Sequence, residues 1–446
     1  MIKINDVITY TATDYANAET VGEVDGTTFF VPQTILGEKA LVKVNHVKKG
    51  VAYADPIKII DASPSRVEPA CRHFGKCGGC TLMHMRYEEQ LAFKTAKVRR
   101  NLEKIGKISV GVLPCKPSKL TLRYRNKLSL PVGGKVGKVK IGMYKKGSHD
   151  IVDIPDCLLG GEWAQKLVKI FQEYLNSQRI APYDEKNFSG EVRHLVARYV
   201  ADCLLVTIVS NGQFRRDLSS LVQMLKAEFP KFGLFVNVNQ NKNNVILGKE
   251  TTHICGAKYA EGTHLGVKFR LQPQSFFQVN DGVKDGIYEQ VKSLLDVSQT
   301  QVLVDCFSGI GVLTSVLCSN NYDTYAVEIE TSAVADAIEL KKLNNSPRLT
   351  NLQGDANVLL PKIAEENRGK VLSLVVDPPR KGLGETICRT ILDAGFDNVV
   401  YVSCDSATLA RDLALLSEKY AVDVVQPWDM FPQTAEVETV CRLLLK

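Results

Sequence analysis

Apolar and polar positions follow different periods in different parts of the chain, and the changes of period mark out its organisation. Over residues 1–60 the pattern is short and alternating. Val21–Val31, VGEVDGTTFFV, sets two such runs on either side of Asp25-Gly26, a pair suited to a tight hairpin turn. Leu36-Gly37 makes another turn, Leu41–Val47 alternates again, and Lys49-Gly50 leads into a strand over Val51–Ile60. Short strands closed by turn residues predict a small OB-like β-barrel. Asp61–Pro69, DASPSRVEP, reads as a linker.

From Tyr87 the period lengthens. Leu91, Val98, Leu102 and Ile105 fall on one stripe of a helix over Tyr87–Ile105. Strand-like patterning fills Lys116–His149, and Trp163–Asn176 carries Leu167, Ile170, Phe171, Tyr174 and Leu175 on one helical face. Strands are expected at His194–Val200, Leu204–Val209, Leu234–Asn239 and Val245–Leu247, with a helix near Leu218–Phe229. Residues 61–275 therefore read as a central α+β domain. Over 276–446 strand and helix alternate: helix Gly282–Leu295, strand Gln301–Asp305, a helical run to Cys318, strand Thr324–Glu328, a helix from Ser332. A helix near Asn357–Glu366, strand Leu372–Asp377, a helix after Leu383 and strand Val399–Val402 follow. That order predicts a Rossmann-like α/β domain, a parallel sheet with helices on both faces.

Open α/β sheets gather their ligands at the carboxyl ends of the strands. Asp305 closes one strand, and Gly309 and Gly311 follow at G-x-G spacing. Glu328 closes the next, where a carboxylate suits the two hydroxyls of a ribose. Thr314 stands where a dinucleotide fingerprint has its third glycine, so S-adenosylmethionine fits this turn better than NAD. Asp377–Gly382, DPPRKG, is a stiff loop at a third strand end, suited to a substrate. Cys404 follows Val399–Val402. Ser406 is expected to cap a helix carrying Leu409 and Leu413, and that helix N-terminus could lower the thiol pKa and make it a nucleophile. Taken alone, Cys404 is more simply a buried, inert thiol. Phe276-Phe277-Gln278-Val279-Asn280 offers aromatic faces and an amide to a nucleobase, although a core edge explains the same run.

Composition narrows the picture. A chain of 446 residues exceeds one hydrophobic core, and 45% hydrophobic with 24% charged residues fits a soluble, multidomain protein. No run of about 18 apolar residues occurs, and MIKINDVITY lacks an export signal, so a cytoplasmic protein with no membrane attachment is expected. No obligate protein partner is evident. The net charge of +7 is mild, but Lys116–His149 holds ten Lys and Arg and no Asp or Glu, which suits phosphates better than a merely solvated face. The twelve cysteines should be reduced thiols. Cys71, Cys77 and Cys80 stand at C-x5-C-x2-C spacing with Gly78-Gly79 between, which points to zinc or an iron–sulfur cluster. A fourth ligand is needed, and Cys157 is a candidate.

The cysteines, SFFQVN at 275–280, DCFSGIG at 305–311, DPPRKG at 377–382, VSCD at 402–405 and VET at 437–439 together resemble the RumA/TrmA-type RNA uracil-5-methyltransferases. The resemblance covers nearly the whole chain. VGEVDG, FVP and LGE in the first 60 residues look like a TRAM domain. The resemblance implies that Cys71, Cys77, Cys80 and Cys157 hold a [4Fe–4S] cluster, that Cys404 is the nucleophile and that Glu438 is the base. It implies that Gln278, Phe307, Glu328, Asp355 and Asp377 line the pocket for S-adenosylmethionine and the target base. The transfer-RNA branch generally lacks both the cysteine cluster and the TRAM domain, so 23S ribosomal RNA is the expected partner. Glu436 stands where members commonly have His, Met83 replaces a common Gln, and Val312 replaces a polar residue. Rival readings are a transfer-RNA uracil methyltransferase, a cytosine methyltransferase, and a non-catalytic RNA-binding protein with structural zinc; the last leaves Cys404, Glu438 and Glu328 unexplained.

Overall fold

Asp25 and Gly26 both take positive φ, 48° and 71°, which gives the tight two-residue hairpin that the sequence predicts. The computed structural model describes residues 2–296 and 298–446. That hairpin joins the middle of a six-stranded sheet built from β1 (Val7–Thr11), β2 (Asp14–Ala16), β3 (Glu19–Val24), β4 (Thr27–Pro32), β5 (Lys39–Lys48) and β6 (Val51–Asp61), in the order β1-β5-β6-β4-β3-β2. The sheet curls until β1 meets β3. A Cβ on Gly22 would lie 2.1 Å from the Thr11 carbonyl oxygen, so only glycine allows this approach. Tyr10, Phe29, Val31, Val42 and Val44 fill the inside.

Helix α1 (Tyr87–Asn101) runs into a π-helical turn, Leu102–Gly106. A seven-stranded sheet follows, formed by β7 (Lys127–Lys135), β8 (Lys138–Tyr144), β9 (Ile151–Asp153), β10 (Val192–Val200), β11 (Cys203–Ser210), β12 (Phe232–Val238) and β13 (Glu250–Gly256). Its order is β13-β12-β11-β10-β7-β8-β9, and α2 (Glu162–Ser177) and α3 (Ser219–Glu228) share its core through Leu167, Phe171, Leu221 and Leu225. Val245–Leu247, expected as a strand, is a loop. The Asn239 side chain donates to the carbonyls of Val245 and Ile246 at 2.6 and 2.9 Å, in place of a ladder partner. A hairpin of β14 (Ala260–His264) and β15 (Val267–Leu271) leads to the last sheet.

That sheet alternates strand and helix as predicted. In chain order it runs α4 (Asp281–Leu294), β16 (Val302–Cys306), α5 (Val312–Leu317), β17 (Asp323–Glu328), α6 (Thr331–Leu343), β18 (Leu349–Gln353), α7 (Ala356–Glu366), β19 (Leu372–Val376), α8 (Gly384–Ala394), β20 (Asn398–Ser403), α9 (Ser406–Leu416), β21 (Tyr420–Trp428) and β22 (Glu438–Leu445). The strand order is β18-β17-β16-β19-β20-β22-β21. The first five strands are parallel, and β22 is antiparallel to both β20 and β21. Alternation along β16 sends Val302 and Val304 to one core and Leu303 to the other, as a strand covered on both faces requires. Val98, Leu102, Val112 and Cys115 join the same core as Val399, Leu409 and Leu413, so the stretch from α1 to Cys115 packs on this sheet, far from it in sequence. Among the described residues, no helix is long and apolar enough to cross a membrane.

Candidate active site

Strand register decides which residues meet. Cys306 pairs with Val327 and Val376, Val376 with Tyr401, Glu328 with Gln353, and Ser403 with Thr439. The residues at or just beyond these rungs are therefore neighbours along one edge of the sheet: Phe307, Glu328, Asp355, Asp377, Cys404 and Glu438. Five of them come from the carboxyl ends of parallel strands. The sixth, Glu438, opens β22, whose antiparallel direction brings its start to the same edge.

The glycine turn is held tightly. Phe307 sits at φ 67°, a left-handed position that a bulky side chain rarely occupies. Its amide and that of Ser308 donate to the Val327 carbonyl at 3.0 and 3.2 Å. Glu328 accepts from the amide of Gly309 at 2.9 Å and from those of Ile329 and Glu330 at 2.8 and 2.9 Å. Its carboxylate is thus fixed beside the turn. Thr314, in the third-glycine position, donates its hydroxyl to buried Asp305. Burial pushes the Asp305 carboxyl up to about 7, Thr314 opposing and Glu328 adding. Asp355 caps α7, accepting from the amide of Asn357 at 2.8 Å.

Gln278 is buried ahead of α4, and its main-chain carbonyl accepts from the Asn126 side chain at 3.0 Å. The two expected aromatic faces reduce to one. Phe276 is 69% exposed, whereas Phe277 is 3% exposed, packs 5.4 Å from the Phe269 ring and carries the Lys284 ammonium 3.9 Å from its own centroid.

At Cys404 the structure corrects the sequence reading. Asp405, not Ser406, caps α9, taking the amides of Ala407 and Thr408 at 2.9 and 3.0 Å, while Ser406 accepts from the Asn101 side chain at 2.8 Å. The helix donors are occupied by a carboxylate and do not lower the thiol pKa. Burial raises it to about 12; Glu438 and Asp377 add, and Arg380 opposes. Burial and then Asp305 raise Asp377 to about 7. Glu438 is 1% exposed and held well above the carboxylate range by burial and Asp377, and its Oε1 has no hydrogen-bond partner.

One residue escapes the sequence reading. Asp412 is fully buried on α9 and accepts from the Leu383 amide at 2.8 Å, the Gly384 amide at 3.3 Å and the Tyr401 hydroxyl at 2.9 Å. With Thr408 and Arg411 donating to the carbonyls of Arg380 and Lys381 at 3.2 and 2.8 Å, it ties the DPPRKG loop to the Cys404 helix. An acid beside Leu413 on an apolar stripe is its only trace in the sequence.

Cys71, Cys77, Cys80 and Cys157 line one cavity of about 170 Å3, together with Phe74, Met83 and Leu159. Gly79 donates its amide to the Cys77 sulfur at 3.3 Å. Burial raises the Cys77 and Cys80 thiol pKa values, as do the neighbouring cysteines. Among the described residues, no three ligating side chains converge closely enough to hold a single metal ion.

A parallel sheet with an antiparallel pair at one edge, a glycine turn beside a fixed acid, and a thiol facing a buried carboxyl define a group-transfer enzyme that uses a nucleoside cofactor. Residues 86–446 match the family model described as tRNA (Uracil-5-)-methyltransferase, and the chain belongs to that family. It is an RNA (uracil-5-)-methyltransferase that depends on S-adenosylmethionine. An uncharacterized RNA methyltransferase of Halalkalibacterium halodurans is 37% identical, with 99% of this chain and 98% of that protein aligned. One from Listeria innocua is 36% identical over 100% of this chain and 99% of that protein. The crystal structure of Pyrococcus abyssi tRNA (uracil-54, C5)-methyltransferase, in complex with S-adenosyl-L-homocysteine, superposes with a TM-score of 0.78 at 25% identity, covering 98% of this chain and 99% of that one.

Proposed function

We propose that Cys404 adds to C6 of a target uridine and that Glu438 later removes the proton from C5. The observation that carries this reading is the β20–β22 ladder, which sets a thiol at one strand end against a buried carboxyl with a free oxygen on its neighbour. C5 of uracil is a poor nucleophile. When the Cys404 thiolate forms the S–C6 bond, the C5–C6 electron pair moves into an enolate and C5 becomes nucleophilic. S-Adenosylmethionine supplies the methyl group that C5 takes. The methylated adduct still carries the C5 proton; Glu438 accepts it, the double bond re-forms, and the C6–S bond breaks to release the thiolate. Burial raises the Cys404 thiol to about 12, so it must first lose a proton to attack; burial and Asp377 raise the Glu438 carboxyl, which favours its taking the C5 proton. The target base must leave any helix to reach them. Gln278, Phe307, Glu328, Asp355 and Asp377 line the cofactor and base pocket in this reading; the shared sheet edge of the last four supports it.

We assign the four cysteines to a [4Fe–4S] cluster: Cys71, Cys77 and Cys80 line one cavity with Cys157, which brings a fourth thiol to it. The curled N-terminal sheet is read as a TRAM domain, and the protein as cytoplasmic. The substrate we assign is 23S ribosomal RNA, on the presence of the cysteine cluster and the TRAM-like sheet together. The Pyrococcus abyssi enzyme, named for a tRNA and aligned over nearly the whole chain, supports transfer RNA as the second reading. Mapping 5-methyluridine in both RNAs, with and without the protein, decides between them.

Two variants test the chemistry. Cys404→Ala should abolish both methylation and any covalent RNA adduct. Glu438→Gln should still add and accept the methyl, then stall, leaving a denaturant-stable protein–RNA complex that carries labelled methyl. Turnover by Cys404→Ala overturns the proposal, as does normal release by Glu438→Gln.

A further inference from the structure

The segment Asp429–Val437 leads directly into Glu438 and is unusually constrained. Gln433 at its centre takes φ 70°, a left-handed conformation costly for a non-glycine residue, and is buried. Every polar group it has is engaged. Its amide donates to the Gln90 side-chain oxygen at 3.0 Å, and its own side-chain oxygen accepts from Gln90 at 3.1 Å. Its side-chain nitrogen donates to the Thr121 carbonyl at 3.3 Å. Its carbonyl accepts from the amides of Thr81 and Leu82, both at 3.0 Å. The Thr81 hydroxyl oxygen then accepts from the Ala435 amide at 2.9 Å, three residues before Glu438. Lys97 donates to the Ala435 carbonyl at 2.9 Å, and buried Lys94 pairs with Asp429. Thr81 directly follows Cys80, so the cysteine loop and the approach to Glu438 are hydrogen-bonded to one another although far apart in sequence.

We infer that Thr81 and Gln433 are positioning residues for Glu438: they fix the segment that aims its carboxyl at C5, and they make the cysteine loop its anchor. This rests on the assignment of Glu438 as the base. Glu438 itself makes no hydrogen bond through Oε1, so its aim depends on the backbone that carries it. A backbone held in a rare conformation by partners on another part of the chain is stiff at the point where proton abstraction needs accuracy.

The test uses full-length protein purified without oxygen, target RNA and S-adenosylmethionine with a labelled methyl. Thr81→Val keeps the shape and removes the oxygen that accepts from Ala435. Adduct formation and methyl transfer in a single turnover should stay near wild type. Product release should slow on the order of ten-fold or more, and a denaturant-stable adduct carrying the label should accumulate. Thr81→Ser, which restores the oxygen, should behave as wild type. Gln433→Gly, which accepts the left-handed φ but loses the side-chain pairing, should also accumulate the adduct and decides the matter if Thr81→Val does not fold. Parallel loss of addition and release, or wild-type release, overturns the inference. Glu438→Gln serves as the control. If it traps RNA while neither Thr81→Val nor Gln433→Gly does, the positioning role alone is wrong; if it releases product normally, the base assignment fails and the inference with it.

Discussion

Asp305 shows how a single residue at this edge carries a measurable cost. Its folded pKa of about 7 lies above the ordinary 3.8, so the fold prefers the protonated form. The stability it contributes is complete below about pH 4 and is lost as pH rises through 7. The loss amounts to about 2 kcal/mol at most between pH 5.5 and 7.5. Buried His84 and His194 and half-buried His264, each lowered to about 4, push the other way as pH falls, so the whole protein hides the effect. Urea midpoints for wild type and Asp305→Asn should separate it: the variant gains relative to wild type on going from pH 5.5 to 7.5. Equal differences at the two pH values would mean that Asp305 is ionised throughout. Such residues are half legible in a sequence. Asp305, Glu328, Asp377 and Cys404 stand out because each closes an apolar run, but partners such as Thr314 and Asp412 are set by tertiary packing. The same packing decides that Asp405, not Ser406, caps α9.

Among the elements, the parallel strands are the plainest to read, being continuous apolar runs. Strands β18, β21 and β22 are not legible in the same way. LTNLQ is too polar to stand out, YAVDVVQPW carries an acid and a proline, and ETVCRLLL begins with Glu438, the proposed base. The β7–β8 hairpin reads as a basic run, but its pairing adds something. Lys135 faces Lys138 directly across the ladder, and both are exposed, as is Lys140. Like charges opposite one another destabilise a hairpin, and a bound phosphate would relieve them. Charge reversal at the three lysines should weaken RNA binding and reduce the salt slope by about 0.7 for each phosphate no longer neutralised on single-stranded RNA. Cofactor binding should be unchanged. An unaltered slope would make this hairpin a solvated surface.

Across the whole molecule, each sheet is built from one successive stretch of the chain, yet packing crosses from one stretch to another. The stretch from α1 to Cys115 belongs in sequence to the middle of the chain and in space to the last sheet. Period alone cannot show that, because an amphipathic helix does not name the surface it covers. The cysteine cavity likewise draws Cys157 to the triplet across a long intervening stretch. Protein purified without oxygen should be brown and contain iron and sulfide, and Cys157→Ser should lower the iron bound. A colourless protein with stoichiometric zinc would overturn the cluster assignment.

The β20–β22 ladder has an evolutionary consequence. Cys404 and Glu438 stand at the ends of hydrogen-bonded neighbouring strands, so the distance between their backbones is set by the spacing of a sheet, about 4.8 Å, and not by the chain that joins them. The turn from Ser417 to Lys419, exposed at Glu418 and Lys419, can lengthen, shorten or drift among descendants while Cys404 and Glu438, the proposed pair, stay in place. Divergence can then fall on the surfaces that choose the RNA, and lineages can change what they modify long before they change how.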